Sequence, residues 1–84
     1  MNTDQVLSQV ASERARQESK WGEQNHEPAR YLSILAEEFG EASKEVVEIT
    51  FHADAGAVGR LRDELIQTAA VAVAFVECLD RGKW

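Results

Sequence analysis

The chain has 84 residues, a formal net charge of −6 and a single cysteine, and these numbers exclude several classes of protein. A chain this short forms one domain, here residues 1–84, and buries only about 60–65% of its unfolded surface. The acidic charge opposes binding to nucleic acid polymers, and the apolar segment 65–79 is shorter than the ~20 residues of a membrane span. One cysteine forms no intrachain disulfide, and no signal-like segment starts the chain, so we expect a soluble, cytoplasmic protein.

The first predicted element is a helix that runs to about Ser19 and is capped by Asn2 or Thr3. Its cations lie towards the carboxyl end, where they complement the helix dipole. Its apolar side chains share one side of the helix: Val6, Leu7, Val10 and Ala11. Residues 20–27 carry no helical period and contain Gly22, so they are predicted to form a loop.

Two longer helices are predicted to follow the loop. Pro28 suits the first turn of the second helix, which runs to about Phe51. One side of this helix is apolar and lies opposite a stripe of glutamates: Tyr31, Leu35, Phe39, Ala42, Val46 and Ile49. The third helix is predicted from about Gly59 to Asp80, and it is apolar around so much of its circumference that we expect burial on nearly all sides. A short connection makes the two helices an antiparallel hairpin, so the fold class is all-α.

Glutamates crowd one stretch of the second helix: Glu37, Glu38, Glu41, Glu45 and Glu48. At about 100° per residue they fall within an arc of roughly 100°, and like charges at these spacings repel by about 0.2–0.5 kcal/mol per pair. Glu38 and Glu41 lie one turn apart and can direct their oxygens to one point, as a hard cation such as Mg²⁺ requires. The alternative interpretation is a solvated acidic face.

Glu64 opens the apolar segment of the third helix and shares a face with Gln67, Thr68, Val71 and Phe75. A carboxylate on a buried surface is costly unless it is paired or bound to a metal. The pairing alternative is an ion pair with Arg60, Arg62 or an arginine of the first helix. In an antiparallel hairpin that turns near Asp54, however, Glu64 and Gln67 reach the height of Glu38 and Glu41, so these residues can surround one metal ion.

The pattern resembles the MazG-like nucleoside triphosphate pyrophosphohydrolases, an all-α family. The resemblance covers nearly the whole chain and includes the Glu-Glu-x-x-Glu pattern at 37–41, a Glu-x-x-Gln pattern at 64–67 and the loop Lys20-Trp21-Gly22-Glu23-Gln24-Asn25-His26 of short phage and mobile-element members. It implies Mg²⁺-dependent cleavage of a nucleoside triphosphate into a nucleoside monophosphate and pyrophosphate, with Mn²⁺ as a substitute, often to remove unwanted nucleotides.

Carried over position by position, the resemblance places metal ligands at Glu38, Glu41 and Glu64, with Glu37 as a neighbouring acid. The fourth position departs from the family pattern, because Gln67 stands where the family usually has Asp. An amide offers an oxygen but no charge, which bears directly on metal affinity and activity.

A triphosphate substrate would make further demands on the chain. Its charge of about −4 requires metal ions in so acidic a protein, and Glu37 or Glu41 can take the proton of the attacking water. Candidate cations for the pyrophosphate are Arg14, Arg16, Lys20, Lys44 and Arg60.

The predicted loop supplies candidates for binding the base. Trp21 offers a ring face for stacking, and Gln24, Asn25 and His26 offer hydrogen bonds. The alternatives are a hydrophobic lid for Trp21 and a capping or surface role for His26.

Self-association is expected, since two partner helices cannot cover all sides of the third helix. The side left bare carries Ile66, Ala69, Val73 and Val76, and a homodimer or homotetramer would complete a four-helix or larger bundle. Two other functions fit the sequence: a helical dimerisation or docking module with solvated glutamates, and a catalytically silent relative that binds metal and nucleotide. A phosphoribosyl nucleotide substrate is a variant of the enzyme hypothesis.

Overall fold

The computed structural model describes residues 1–84 as three helices without a strand, which confirms the all-α fold class. Helix α1 spans Thr3–Trp21, α2 spans Pro28–His52 and α3 spans Gly56–Arg81. Helices α2 and α3 form the predicted antiparallel hairpin, and the backbone of α1 lies against α3 and not against α2. None of the three helices combines the length and apolar composition needed to cross a lipid bilayer.

The ends of α1 follow local capping rules. Asn2 caps the helix as predicted: its side chain accepts a hydrogen bond from the Gln5 N–H, and the Gln5 side chain accepts one from the Asn2 N–H, both at 2.9 Å. The helix continues to Trp21, two residues beyond the predicted end. It stops at Gly22, whose φ of 75° lies in the region that favours glycine.

The turn between α2 and α3 is shorter than predicted. Ala53, at a φ of 50°, ends α2 in the left-handed region. Asp54 then accepts a hydrogen bond from the Gly56 N–H at 3.0 Å, and its carbonyl accepts one from Ala57. Helix α3 therefore begins at Gly56, three residues before the predicted start, because the Asp54 side chain satisfies a free amide of its first turn.

The core lies between α2 and α3, at the end of the hairpin next to the 22–27 loop. Its buried members are Tyr31, Val71, Ala74 and Cys78, and Ile34, Leu35 and Phe75 pack against them. The Tyr31 ring stacks on Phe75 with centroids 4.8 Å apart, and the Tyr31 hydroxyl donates to the carbonyl oxygen of Gln24 at 2.9 Å. The loop is thereby fastened to the core.

The predicted faces of α2 are correct for Tyr31, Leu35 and Ala42, which are buried or pack on the core, but wrong for Phe39, Val46 and two of the glutamates. Glu45 is buried and Glu38 half-buried, on the side that also carries Tyr31 and Ala42, whereas Phe39 is 65% exposed. Because packing on α3 selects residues three, four and seven apart, it selects Tyr31, Glu38 and Glu45 together. Glu38 and Glu45 therefore share the buried side of α2, whereas Glu37 and Glu41 are exposed.

The predicted faces of α1 and α3 also need correction. On α1, Leu7 and Ala11 are exposed while Gln17 is buried. Helix α3 is buried along one side only, through small residues: Ala57, Ala70, Val71, Ala74 and Cys78. Its other sides expose apolar side chains, so nearly all-round burial is wrong for a single chain. We call the exposed large apolar residues of the hairpin its outer apolar set: Leu32, Phe39, Val46, Val47, Phe51, Val58, Leu65, Val73, Val76 and Leu79. Ile66 and Ala69, which were predicted on the bare side of α3, are half-buried.

Candidate functional site

A groove of about 360 Å³ lies between α2 and α3, towards the turn that joins them. We call it the acidic groove. It has no hydrophobic lining residue and is formed by Glu41, Lys44, Glu45, Arg60, Asp63, Glu64 and Gln67. The structure thus brings together Glu41, Glu64 and Gln67, which the sequence placed at one height. Glu37 is exposed and does not line this groove.

Arg60 is the cation that offsets part of this charge. Its Nε donates to Glu45 Oε2 at 2.5 Å, and a terminal guanidinium nitrogen donates to Asp54 Oδ2 at 2.7 Å. The hydrogen bond from Arg60 is the main cause that lowers the pKa of the exposed Asp54 carboxyl. Arg60 therefore spans from the turn to the buried Glu45, and any contact with a phosphate would compete with these two pairs.

The three carboxylates of the predicted metal site have no ion pair: Glu38, Glu41 and Glu64. Asp63 of the groove has none either, and Glu38 does not line the groove. The Arg60 pair considered for Glu64 is not formed, nor is one with Arg62 or with an arginine of α1. Lys44 lines the groove without pairing to any of them. The helices thus hold neighbouring negative charges that the protein leaves uncompensated.

Glu64 is the most perturbed of the three. Its Oε2 is fully buried without a hydrogen-bond partner, the only side-chain polar atom in the chain of which this is true. Burial raises the pKa of the Glu64 carboxyl, and the negative charges of Glu38 and Glu41 raise it further. A buried acceptor without a partner is costly, so this oxygen is the strongest indication of a cation-binding site in the chain.

The residues fit a divalent cation in their chemistry. Carboxylate and amide oxygens are the donors that Mg²⁺ accepts, and the buried Glu64 oxygen lies beside Glu38 and Glu41. No three acidic, histidine or cysteine side chains converge closely enough to hold a metal ion as they stand. Binding would require Glu41, which is exposed, and Glu38, which is half-buried, to turn towards Glu64.

A second concavity of about 270 Å³ lies between α1, the loop and the hairpin. We call it the aromatic cavity, because Trp21, His26 and Tyr31 line it together with aliphatic residues such as Ile34 and Val71. It occupies the space where α1 and α2 would otherwise meet. The structure therefore separates the predicted substrate residues: Trp21, Gln24 and His26 line this cavity, whereas Lys44 and Arg60 line the acidic groove.

The loop residues are held by neighbours on two sides. The His26 ring packs edge-on against Tyr31, with centroids 5.1 Å apart, and its Nε2 lies 2.8 Å from Gln24 Oε1. The Arg81 guanidinium donates to the Gln24 carbonyl at 3.1 Å and to the Asn25 side chain. His26 is thus half-buried and partnered, not a free surface histidine.

Trp21 ends α1 and is 55% exposed, with the ammonium of Lys20 4.9 Å from its ring centroid. Lys20 therefore lies at the outer side of Trp21 and does not line either concavity. One face of the Trp21 ring borders the aromatic cavity, which suits stacking and equally suits a lid.

Sequence reasoning missed three residues of these sites. Glu45 and Asp63 line the acidic groove and Gln17 lines the aromatic cavity. The signal for Glu45 was its spacing of seven from Glu38 and fourteen from Tyr31, which repeats the buried side of α2. For Gln17 the signal was its spacing of seven from the buried Val10.

Comparisons with protein-family models, with curated proteins and with solved structures find no match to this chain. The resemblance to MazG-like enzymes therefore stays a prediction from the residues themselves. What the chain does has to be argued from the two concavities and their spacing.

Proposed function

We propose that the protein is a Mg²⁺-dependent pyrophosphohydrolase that converts a nucleoside triphosphate into a nucleoside monophosphate and pyrophosphate. The observation that supports this most is the buried, unpartnered Glu64 oxygen beside Glu38 and Glu41. An arrangement of this kind costs stability in the absence of a cation, and sites that perform chemistry are where such costs are tolerated.

The residues that would hold the metal are Glu38, Glu41 and Glu64, with Gln67 as a neutral oxygen donor. A bound divalent cation supplies neutralisation of phosphate oxygens and a lowered pKa for a water molecule. The proton transfers must be carried out by residues of the protein. Glu64 must lose the proton that its raised pKa favours, and Glu41 or Glu37 can accept the proton of the attacking water.

The spacing of the two concavities supports a nucleotide. Val71 lines the aromatic cavity and Gln67 lines the acidic groove, and these positions are one helical turn, about 6 Å, apart on α3. A base held beside Trp21 and Tyr31 would direct its phosphates along α3 towards the groove. There Lys44, which is free of ion pairs, is the best placed cation for the leaving pyrophosphate, and Arg60 can join it by exchanging a partner.

A pyrophosphate-release screen tests the proposal. Canonical and modified nucleoside triphosphates, and a phosphoribosyl nucleotide, are incubated with Mg²⁺ or Mn²⁺, and the products are separated by chromatography. We expect equal amounts of nucleoside monophosphate and pyrophosphate. Release of orthophosphate, or no turnover of any nucleotide with either metal, contradicts the proposal. Metal-dependent nucleotide binding without turnover would instead indicate a catalytically silent relative, the alternative that Gln67 supports.

We also propose that the chain works as a homodimer or homotetramer, as the outer apolar set supports. Exposed apolar side chains recur seven residues apart on α2, at Leu32, Phe39 and Val46, and on α3 at Val58 and Leu65. Such spacing suits packing against further helices into a four-helix or larger bundle. The same feature favours a docking module as a second candidate function, and an absence of any Mg²⁺ effect on the melting temperature would favour that candidate.

Val73→Glu tests the self-association. Val73 is 40% exposed in the single chain, so a glutamate there is harmless to a monomer but costly in an apolar interface. We expect light scattering at micromolar concentration to show a multiple of the chain mass for the wild type and a loss of at least about 100-fold in association for Val73→Glu. A well-folded wild-type particle of one-chain mass would contradict the proposal.

A further inference from the structure

Gln17 is a buried polar side chain to which the proposed reaction gives no role. It is 7% exposed and lines the aromatic cavity from α1. Its Nε2 donates to the backbone carbonyl oxygen of Gln67 at 3.5 Å. Because a carbonyl oxygen only accepts hydrogen bonds, the amide nitrogen must face Gln67, which fixes the side chain with its oxygen on the other side.

The Gln17 oxygen makes no hydrogen bond within the protein. It is not fully buried either, since Glu64 Oε2 is the only fully buried side-chain polar atom without a partner. The small exposed area of Gln17 therefore includes this oxygen, and Gln17 lines the aromatic cavity. Arg14, Gln24 and His26 also line the cavity, but the Gln17 oxygen has no partner of its own and penalises any ligand that displaces water from it without donating a hydrogen bond.

The cavity restricts the ligand to something small and flat. Its volume of about 270 Å³ lies just below the ~300–1,000 Å³ of pockets for drug-sized molecules. Trp21 and Tyr31 provide ring faces, and Ile34 and Val71 provide aliphatic walls, as a single heterocycle requires. Gln17 bonds through its amide nitrogen to the Gln67 backbone carbonyl, so its oxygen is directed away from that carbonyl.

We propose that Gln17 determines base specificity by accepting a hydrogen bond from an exocyclic amino group, so that amino-bearing bases are preferred over their oxo counterparts. This inference rests on the proposed function, because it takes the heterocycle to be the base of the substrate. The ring N–H of uracil is flanked by two carbonyl oxygens, which would meet the Gln17 oxygen with like partial charge. The amino group of cytosine has one neighbouring acceptor, N3, and that of adenine has two, N1 and N7, but each can direct an N–H at the Gln17 oxygen without a carbonyl oxygen on both sides.

Nucleosides without phosphate and without metal isolate this contact from catalysis. Cytidine, its analogue lacking the 4-amino group, and uridine are titrated into the full chain, with the indole N–H signal of Trp21 as the NMR probe. We expect cytidine to bind about tenfold more tightly than either of the others, as one hydrogen bond in a desolvated site gives. Gln17→Met, which keeps the length and removes the acceptor, should make the three affinities equal.

Gln9→Met is the matched control, because Gln9 lies on α1 outside the cavity and hydrogen-bonds only to Met1. It should keep the wild-type preference. A scaffold role for Gln17 would lower all three affinities by the same factor and leave their ratio unchanged, which overturns the inference. So does equal binding, or no binding, of the three nucleosides by the wild type, a result that decides the question even if Gln17→Met does not fold.

The two proposals fail separately in this design. Pyrophosphate release by a wild-type protein that shows no preference among the nucleosides overturns the role of Gln17 and leaves the hydrolase intact. A cytidine preference that depends on Gln17, in a protein that hydrolyses no triphosphate, overturns the hydrolase and leaves the recognition of the amino group.

Discussion

The two ends of the α2–α3 hairpin differ in whether their buried polar groups have partners. At the loop end, Tyr31 stacks on Phe75 and its hydroxyl has a partner in the Gln24 carbonyl. At the turn end, Glu64 has a buried oxygen without a partner next to two carboxylates that form no ion pair. The polar groups of the first end have partners within the protein, whereas the second end keeps a buried oxygen without one. Stability and function are therefore expected to respond to different substitutions.

The largest stability change is expected at the loop end. Tyr31→Ala should lower the free energy of unfolding by about 3–5 kcal/mol, as removal of a buried aromatic ring does. Tyr31→Phe should cost only about 1 kcal/mol, because the Gln24 carbonyl keeps its hydrogen bond from Arg81. Urea denaturation measures both. Equal losses for the two variants would show that the hydroxyl, and not the stacked ring, fastens this end.

The largest functional change is expected at the turn end. Glu38→Gln or Glu41→Gln should reduce pyrophosphate release by more than about 100-fold and abolish the rise in melting temperature caused by Mg²⁺, since a metal that binds only the folded state stabilises it. Glu48→Gln is the control, because Glu48 lies on the same helix and pairs with His52. Full metal-dependent stabilisation in both test variants would show that the acids form a solvated surface.

A pH titration sharpens the contrast further. Because the folded state raises the pKa of Glu64, it holds a proton at pH values where the unfolded chain has lost it. The stability that this provides is complete below the ordinary glutamate pKa and is lost as the pH rises through the raised pKa, by up to about 1.4 kcal/mol per pH unit. Glu64→Gln should remove this decline in metal-free thermal melts.

Mg²⁺ should have the opposite dependence on pH. It binds the ionised carboxylates, so the stabilisation it provides to the wild type should grow over the same pH range. A Mg²⁺ effect that is constant across this range would separate Glu64 from the metal site.

The smallest change is expected at Gln67. Gln67→Asp adds a carboxylate to the groove and should tighten Mg²⁺ binding by about tenfold, measured by calorimetry. Gln67→Asn shortens the side chain by the same amount and stays neutral, so it separates charge from length. A loss of stability in Gln67→Asp with unchanged metal affinity would mean that this side chain is a packing element.

The sequence predicted the helices well because their signals are local. Pro28 and Gly82 mark α2 and α3, and Asn2 with Gln5 marks the start of α1. The sequence also predicted that Glu41 and Glu64 lie at the same level of the bundle, because they are at similar distances along the chain from the turn of an antiparallel hairpin. The sequence did not predict which acids are buried. A glutamate such as Glu45 is expected to be exposed to solvent unless its ion pair with Arg60 across the turn is known.

The aromatic cavity could not be predicted from the sequence, because it depends on α1 lying against α3 and not against α2. No residue pattern in α1 indicates that its backbone lies against α3 and away from α2. The polar character of Gln17 also argued against burial, and only its bond to the Gln67 carbonyl, 50 residues away, explains its position.

The attachment of α1 to a single helix also sets an order of assembly. The hairpin closes through contacts such as Arg60 with Glu45, 15 residues apart, whereas α1 reaches α3 through bonds that span 50 and 63 residues. Longer closures cost more chain entropy, so α1 should dock last during folding and detach first in partial opening. Amide hydrogens of α1 should exchange faster than those of α2 and α3. Helix α1 then forms a wall of the aromatic cavity that can move aside for a small ligand while the hairpin stays folded.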